Sequence, residues 1–591
     1  IKNEVMHLDD VENETAPRVE QYLSKIKVIR RIAHKIIDFL AQLEDFQKKL
    51  WLKKKFVVET SYCIRLGVIP EEFYPEIVAN DAQREEWVRL FAIDEIKGDL
   101  TTPGYSVPLT VAFLEAHPTL VIDTRNFDET FSSRLIESID NIGNKIDGLL
   151  VQGDNFQSMS LLQKGLSSRV RLTYIDPPYN TGQDEFIYKD NYQSSSWLTM
   201  LSNRFEVARR MLTDDGVVVT QISDQEHHRL KNLLDIEFPG QFINHVSIRT
   251  RSPSGFKTVN LGLFESAEYL LIYGLNKSRV TARPIYVPSG YDENYKFVVV
   301  NRDRPASEWV IERLSDRVAR EAGYSCEKDA IKHLGKAAFK ELIATTAIRD
   351  AESVFRLTAI DDVGASKETV ELKRASLAAK GRVFEQKREN YANRYILDGQ
   401  EITFLSKKVR DIDGKSTLTT LATNIWTDIS WEGIASEGGV TLKKGKKPER
   451  LVERLIEMFT IPGDIVLDYF AGSGTTPAVA AKMSRRFVGI EIAAHFDNLL
   501  LPRIKSVLFG DSTGISRSYP TYPTNLQGVV QVVRLESYED TLNNLELRRT
   551  DAQQSLLDSP QAQGADGFRE QYLLRYMLDV ETRGSQSLLN V

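Results

Sequence analysis

Two loops far apart in the chain each follow a short, largely apolar run, and this pairing restricts the fold more than any other feature. The run from Leu172 to Ile175 leads into Asp176-Pro177-Pro178-Tyr179, and the run from Ile465 to Leu467 leads into Asp468-Tyr469-Phe470-Ala471-Gly472-Ser473-Gly474. Such runs read as strands buried on both faces, the situation of parallel strands covered by helices. Ligands of open α/β sheets bind at the carboxyl ends of the strands, so the two loops can converge on one crevice. The expected fold class is α/β, built on a Rossmann-like sheet.

The first loop has the chemistry to grip a planar amino group. The exocyclic nitrogen of adenine is a poor nucleophile because its lone pair is delocalised into the ring. Two acceptors on its hydrogens would favour a pyramidal nitrogen; the Asp176 carboxylate and the Pro177 carbonyl can supply them. Pro177 and Pro178 fix φ at successive positions, leaving little entropy to lose. Tyr179 offers a flat face for an extruded base, worth ~1–3 kcal/mol of stacking. The second loop, 468–476, opens a helix rich in good formers with Pro477 near its first turn. It lacks the Gly-Lys-Ser/Thr ending of a nucleotide-triphosphate loop and has Thr475-Thr476 instead. A dinucleotide enzyme has no need of Asp-Pro-Pro-Tyr on a second strand.

Together these motifs resemble the DNA amino-methyltransferases that use S-adenosylmethionine. Asp at the first position of the tetrapeptide resembles adenine N6 enzymes; Ser there more often marks cytosine N4 enzymes. The tetrapeptide precedes the glycine loop by about 290 residues, which resembles the permuted β-class order. The wider context, Asn180-Thr181-Gly182 and Phe186-Ile187-Tyr188-Lys189-Asp190, resembles the modification subunits of type III restriction-modification systems. The resemblance is strongest over 150–245 and 421–495. It implies S-adenosylmethionine as cofactor, adenine N6 in duplex DNA as substrate, a homodimer, and a separate helicase-nuclease partner.

By the same resemblance, Asp176, Pro177, Pro178 and Tyr179 are the catalytic set. Asp468, Phe470, Gly472, Ser473, Gly474, Thr475 and Thr476 cradle the donor. Glu491, ending the strand-like Phe487-Val488-Gly489-Ile490, resembles the carboxylate that binds ribose hydroxyls. Lys447 and Pro448 lie in a stretch, Gly445 to Glu449, that resembles a motif packing against the donor. Asp154, after Gly153, resembles the acidic turn near its adenine.

A net charge of −7 does not advertise a nucleic-acid binder, so positive charge must be concentrated locally. Arg249, Arg251 and Lys257 around Ser252-Pro253-Ser254-Gly255 are the favoured DNA-facing cluster. Lys443, Lys444, Lys446 and Lys447 form a second cluster, and Lys53, Lys54 and Lys55 a third. Cys63 and Cys326 are the two cysteines, with no zinc spacing, which fits a reducing cytoplasm and no bound metal. No apolar run approaches the ~20 residues needed to cross a bilayer. His227-His228 reads as solvated helix surface. The missing initiator Met suggests numbering that begins inside a longer chain.

Length argues for about four units. Residues 1–145 read as an N-terminal helical and mixed region, with near-helical periodicity over 17–58 and a strand near Val121. Residues 146–245 form the catalytic half, whose helix carries Trp197, Leu201, Phe205 and Ala208 on one side and stops before Asp214-Asp215-Gly216. An α+β target-recognition insert follows over 246–420, including the strand-like Tyr269 to Tyr273. The cofactor half covers 421–510 and a C-terminal extension 511–591, with a strand-like Val529 to Val533. Methylation of cytosine N4, of RNA or of a protein amide, and a non-catalytic DNA-binding role, remain the alternatives at this point.

Overall fold

The computed structural model describes residues 16–52, 55–99, 102–180, 193–251, 265–389, 391–412, 414–439, 445–519, 523, 526–537, 540 and 551–561. The chain forms two compact units: one of Ile1–His245, Thr250–Thr281 and Trp431–Val591, the other of Val246–Arg249 and Ala282–Ser430.

The larger unit is organised by a sheet of β1 (Val57–Arg65), β2 (Val121–Asp123), β3 (Ile146–Gln152), β4 (Val170–Ile175), β5 (Leu212–Ile222), β6 (Ala267–Gly274), β7 (Ile465–Asp468), β8 (Arg486–Glu491) and β9 (Val529–Leu535). Their spatial order is β6-β5-β4-β7-β8-β3-β9-β1-β2. From β5 to β9 every pairing is parallel. β6, β1 and β2 pair antiparallel at the two sides. Every residue of β4 is buried, as its apolar run requires.

Helices cover the faces. The ones that position the site are α1 (Asn155–Leu166), α2 (Ser194–Met211), α3 (Asp224–Glu237), α4 (Glu449–Phe459), α5 (Thr475–Lys482) and α6 (Leu501–Phe509). Trp197, Leu201, Phe205 and Ala208 of α2 are fully buried in one core with Ile175, Val218 and Tyr273. Each large side chain so buried contributes about 1.5–3 kcal/mol. On the far side, the Trp87 indole N–H donates to the Val121 carbonyl at 2.6 Å. The Lys505 ammonium of α6 bridges Asp123 at 2.7 Å and Glu86 at 2.6 Å.

Several local expectations are corrected. The N-terminal helix spans Ala16–Leu52 and not 17–58; Val57 onward is β1, whose Ser61, Cys63 and Ile64 are buried between β9 and β2. The Tyr269–Tyr273 stretch belongs to the main sheet, where Ile272 pairs with Val219 of β5. Asp214-Asp215-Gly216 is no break between helix and strand. It is a bulge inside β5: Leu212 and Val217 pair with Val170 and Leu172, only two residues apart on β4. A Cβ on Gly216 would stand 2.8 Å from the Thr213 carbonyl oxygen, so the bulge needs glycine. His227 is half-buried, its ring 4.8 Å from that of His245 and 4.6 Å from that of Tyr269. Burial, then the neighbouring imidazole, hold its pKa below the usual value. Sequence periodicity missed it because its ring neighbours come from two strands and not from its own helix.

The smaller unit holds a six-stranded antiparallel sheet in the order Ile311–Arg313, Phe297–Val299, Val354–Ala359, Gln400–Phe404, Arg394–Leu397, Phe384–Gln386. Helices Leu314–Glu321, Glu327–Leu334 and Lys336–Arg349 bury Leu314, Val318, Ala330 and Phe339 against Val298 and Val354. No helix among the described residues is long and apolar enough to cross a membrane.

Candidate functional site

The two motif-bearing strands are immediate neighbours. Val466 pairs with Leu172 and Leu467 with Thr173, so Asp468 and Asp176 leave the sheet at the same edge. The loops, about 290 residues apart in sequence, therefore share one crevice.

Asp468 acts on its own loop. One oxygen accepts the Phe470 N–H at 3.0 Å and the other the Thr476 hydroxyl at 2.6 Å, which pins the turn to the first residues of α5. Burial pushes its carboxyl up to about 7, against the lowering effect of these two bonds. Gly472 and Gly474 have φ of +53° and +76°, the left-handed region that favours glycine. Glu491 is buried with both oxygens engaged: Oε2 accepts the Gly472 N–H and Oε1 the Ala493 N–H, each at 2.8 Å. The carboxylate expected to hold ribose hydroxyls thus also fixes the glycine turn. Behind the loop, the fully buried Arg503 of α6 donates to Thr475 Oγ1 at 2.8 Å, to Ser473 Oγ at 3.4 Å and to Glu449 at 2.7 Å. Glu449 also accepts from Lys482 at 2.9 Å and from the Ile515 N–H at 3.0 Å.

Asp154 caps α1 through the Gln157 N–H at 3.1 Å and pairs with Arg204 at 3.2 Å. Next to it, Asn155 donates to the Tyr469 carbonyl at 2.9 Å, tying α1 to the glycine loop. A cavity of about 650 Å³ is lined by Gly153, Asp154, Pro178, Phe470, Glu491 and Ile492 among others. It touches both motifs and falls within the ~300–1,000 Å³ of small-molecule sites. Pro448 caps α4.

At the Asp-Pro-Pro-Tyr motif the structure gathers more than the sequence names. Asp176 Oδ2 lies 3.0 Å from Lys447 Nζ, while its Oδ1 is buried with no hydrogen-bond partner among the described residues. Lys447 also donates to the Tyr179 hydroxyl at 3.0 Å and lies 3.5 Å from Glu268 Oε2. Tyr179 donates to the same Glu268 oxygen at 2.7 Å. Gln221 of β5 donates to it at 2.5 Å and is itself held by the Tyr174 hydroxyl at 2.6 Å. The Trp197 indole N–H donates to the Pro178 carbonyl at 2.8 Å, anchoring the double proline to α2.

The electrostatics separate the two carboxylates. Burial raises Asp176 to about 6; Lys447 opposes the rise and Glu268 adds to it. Burial also works against ionised Glu268, but Lys447 and the bonds from Tyr179 and Gln221 outweigh it and keep Glu268 below the usual range. Burial disfavours the Lys447 ammonium, and the charges of Asp176 and Glu268 more than restore it.

Lys447 is a relocation relative to the sequence reading. Its ammonium meets Asp176 and not the glycine loop; only its backbone carbonyl, 3.5 Å from Thr475 Oγ1, touches that loop. Of the expected DNA-facing cluster, Arg249 is exposed and donates to the Thr427 carbonyl at 2.9 Å, and Arg251 is exposed. Lys257, Lys443, Lys444, Lys53, Lys54 and the 181–190 part of the extended motif lie outside the described residues. Lys446 is buried and donates to the Glu437 carbonyl, so it offers no free surface charge.

Comparison with known proteins bears on this arrangement. A family model described as DNA methylase, N6_N4_Mtase, matches residues 170–500, from the first residue of β4 to the start of α6. The chain belongs to this family. It is 33% identical over 405 residues to the probable type III restriction-modification enzyme HindVI Mod subunit of Haemophilus influenzae, covering 64% of this chain and 52% of that one. It is 24% identical over 382 residues to the EcoPI Mod subunit of Escherichia phage P1, covering 58% and 56%. The chain thus spans about half the length of these relatives. A crystal structure of a putative DNA modification methylase of Thermus thermophilus, complexed with S-adenosyl-L-methionine, aligns at 16% identity and a TM-score of 0.30, covering 66% of this chain and 99% of that one.

In this member of the family, sequence reasoning missed Glu268, Gln221, Trp197's role and Arg503. Glu268 alone carried a signal: it is an acidic residue at the head of the apolar strand Tyr269-Leu270-Leu271-Ile272-Tyr273. The others look like ordinary strand or helix residues until the fold brings them together.

Proposed function

We propose that the protein is a site-specific DNA methyltransferase that methylates adenine N6 in duplex DNA, acting as the modification and specificity subunit of a type III restriction-modification system. The observation that carries this reading is the Asp176 carboxylate. It is partly buried at the edge shared with the glycine loop, with Oδ2 held by Lys447 and the buried Oδ1 without a partner among the described residues. An orphaned buried acceptor costs free energy, and a target amino hydrogen supplies the missing donor.

The residues present fit S-adenosylmethionine. The 650 Å³ cavity has an acidic turn at Asp154, a buried carboxylate at Glu491 and, from the start of the glycine loop, Tyr469 and Phe470; Gly472 and Gly474 follow with positive φ. Gly472, Ser473, Gly474, Phe470 and Asp154 would hold the donor, with Glu491, Thr475 and Thr476 shaping the loop. When bound, it supplies an electrophilic methyl group on a sulfonium. The chain's own work is positional. Asp176 and the Pro177 carbonyl hold the amino group, Tyr179 offers its ring to the flipped base, and Asp176 is the nearest acceptor for the proton that nitrogen sheds. Adenine is favoured over cytosine N4 because the motif begins with Asp.

The same reading includes a homodimer, a separate helicase-nuclease subunit and a cytoplasmic location. The test is expression in cells lacking adenine methylation, followed by nucleoside mass spectrometry and modification-sensitive long-read sequencing. N6-methyladenine at one short motif is expected, lost in Asp176→Ala while donor binding persists. N4-methylcytosine would reassign the base, and unmodified DNA would overturn the reading.

A further inference from the structure

Lys447 stands where the two halves of the site meet. Its backbone carbonyl reaches Thr475 at the head of α5, and its side chain reaches the catalytic loop. The ammonium is buried, and its three N–H donors face three oxygens: Asp176 Oδ2 and the Tyr179 hydroxyl at 3.0 Å, and Glu268 Oε2 at 3.5 Å. Glu268 has no motif around it, yet its Oε2 gathers Tyr179, Gln221 and Lys447. The chain of contacts closes on itself, because Tyr174, which holds Gln221, lies two residues before Asp176 on β4.

We propose that Lys447 and Glu268 are positioning residues that fit Asp176 to receive an amino group. Lys447 occupies one carboxylate oxygen and balances its charge, so that the other stays ionised and open to the target nitrogen. Glu268 in turn fixes the Lys447 ammonium and the Tyr179 hydroxyl. This assignment rests on the methyltransferase reading and moves Lys447 from donor binding to the target side of the site.

The arrangement has a signature that packing alone lacks. The groups facing Asp176 are Lys447 ahead of α4, Glu268 on β6, Tyr179 on its own loop, Tyr174 beneath it and Asp468 at the end of β7. Lys447 is the one cation among them. Removing it leaves Asp176 to burial and like charge, opposed by the Tyr179 hydroxyl, so ionisation requires higher pH. Removing the charge of Glu268 takes away a like charge and leaves Lys447 wholly to Asp176, so ionisation extends to lower pH. Asp468 also titrates in this region and is raised by the Asp176 charge, so the limb belongs to the pair; Lys447 is not among the groups that shift Asp468, so the variants act on it through Asp176.

The experiment is the pH dependence of single-turnover methyl transfer to unmodified DNA, from pH 5 to about pH 9, for the full chain and for Lys447→Met, Lys447→Arg and Glu268→Gln. Calorimetric donor binding shows that each variant is folded. The acid limb is expected to move up by about one pH unit in Lys447→Met, a roughly fivefold loss at pH 6 that approaches tenfold towards pH 5. It should move down in Glu268→Gln and stay near the wild-type position in Lys447→Arg. Should Lys447→Met not fold, the downward shift in Glu268→Gln carries the test. Limbs that stay in place while rates fall would mean a merely structural pair and overturn the proposal. A wild-type chain that transfers no methyl group would overturn the functional reading as well, so the two failures are distinguishable.

Discussion

The indole of Trp197 makes the most direct test of how the Asp-Pro-Pro-Tyr loop is held. Its N–H donates to the Pro178 carbonyl at 2.8 Å from a fully buried position in α2. Trp197→Phe keeps an aromatic ring in that core but leaves the carbonyl without its donor. A fully buried orphaned acceptor costs about 1–3 kcal/mol, an upper bound for the part-buried Pro178 carbonyl. If all of that is felt as misplacement of Asp176 and Pro177 at the transition state, the rate falls roughly 5- to 150-fold. Some stability is lost too, because the smaller ring fills the site less well. Phe205→Leu separates the two effects: Phe205 is fully buried in the same helix and core and has no contact of this kind with the loop. The assay is single-turnover methyl incorporation at saturating donor, with donor affinity by calorimetry and thermal melting as controls. Both variants should melt earlier and bind donor like the wild type, and only Trp197→Phe should lose rate by more than about fivefold. Equal rate losses in the two variants would show that the indole serves the core and not the loop.

Gly474→Ala should weaken donor binding about tenfold by calorimetry. Its φ of +76° disfavours any L side chain, and a Cβ would stand 3.1 Å from Leu500 Cγ. Arg503→Met should lower the melting temperature sharply, since breaking a buried ion pair costs about 3–5 kcal/mol and also frees Ser473 and Thr475. Lysine at that position should recover only part of the loss, because it cannot span Thr475 and Glu449 as a guanidinium does.

Much of the fold was legible because its strands are buried and its turns are chemically unusual. β4, β7 and β8 announce themselves as short apolar runs, and prolines after β4 and glycines after β7 mark where those two leave the sheet. The α2 stripe of Trp197, Leu201, Phe205 and Ala208 was legible for the same reason: one face is dry. β1 was hidden because Val57 to Arg65 alternates poorly, its polar Ser61 being buried by pairing with β9 and not by its own pattern. The Asp214-Asp215-Gly216 bulge misled because a polar triplet beside a glycine looks like a turn when its pairing partner is unknown.

The amino-acid sequence alone determined the kind of chemistry: a rigid Asp-Pro-Pro-Tyr turn and a glycine turn, each at a strand end, because local backbone and side-chain demands are written in adjacent residues. The tertiary structure alone decided which charges meet there. Lys447, Glu268 and Gln221 come from a loop before one helix and from two separate strands, and no periodicity links them. Their pairing follows from sheet order and burial, which take ionised groups out of water and compel each to find a partner wherever the chain happens to bring one.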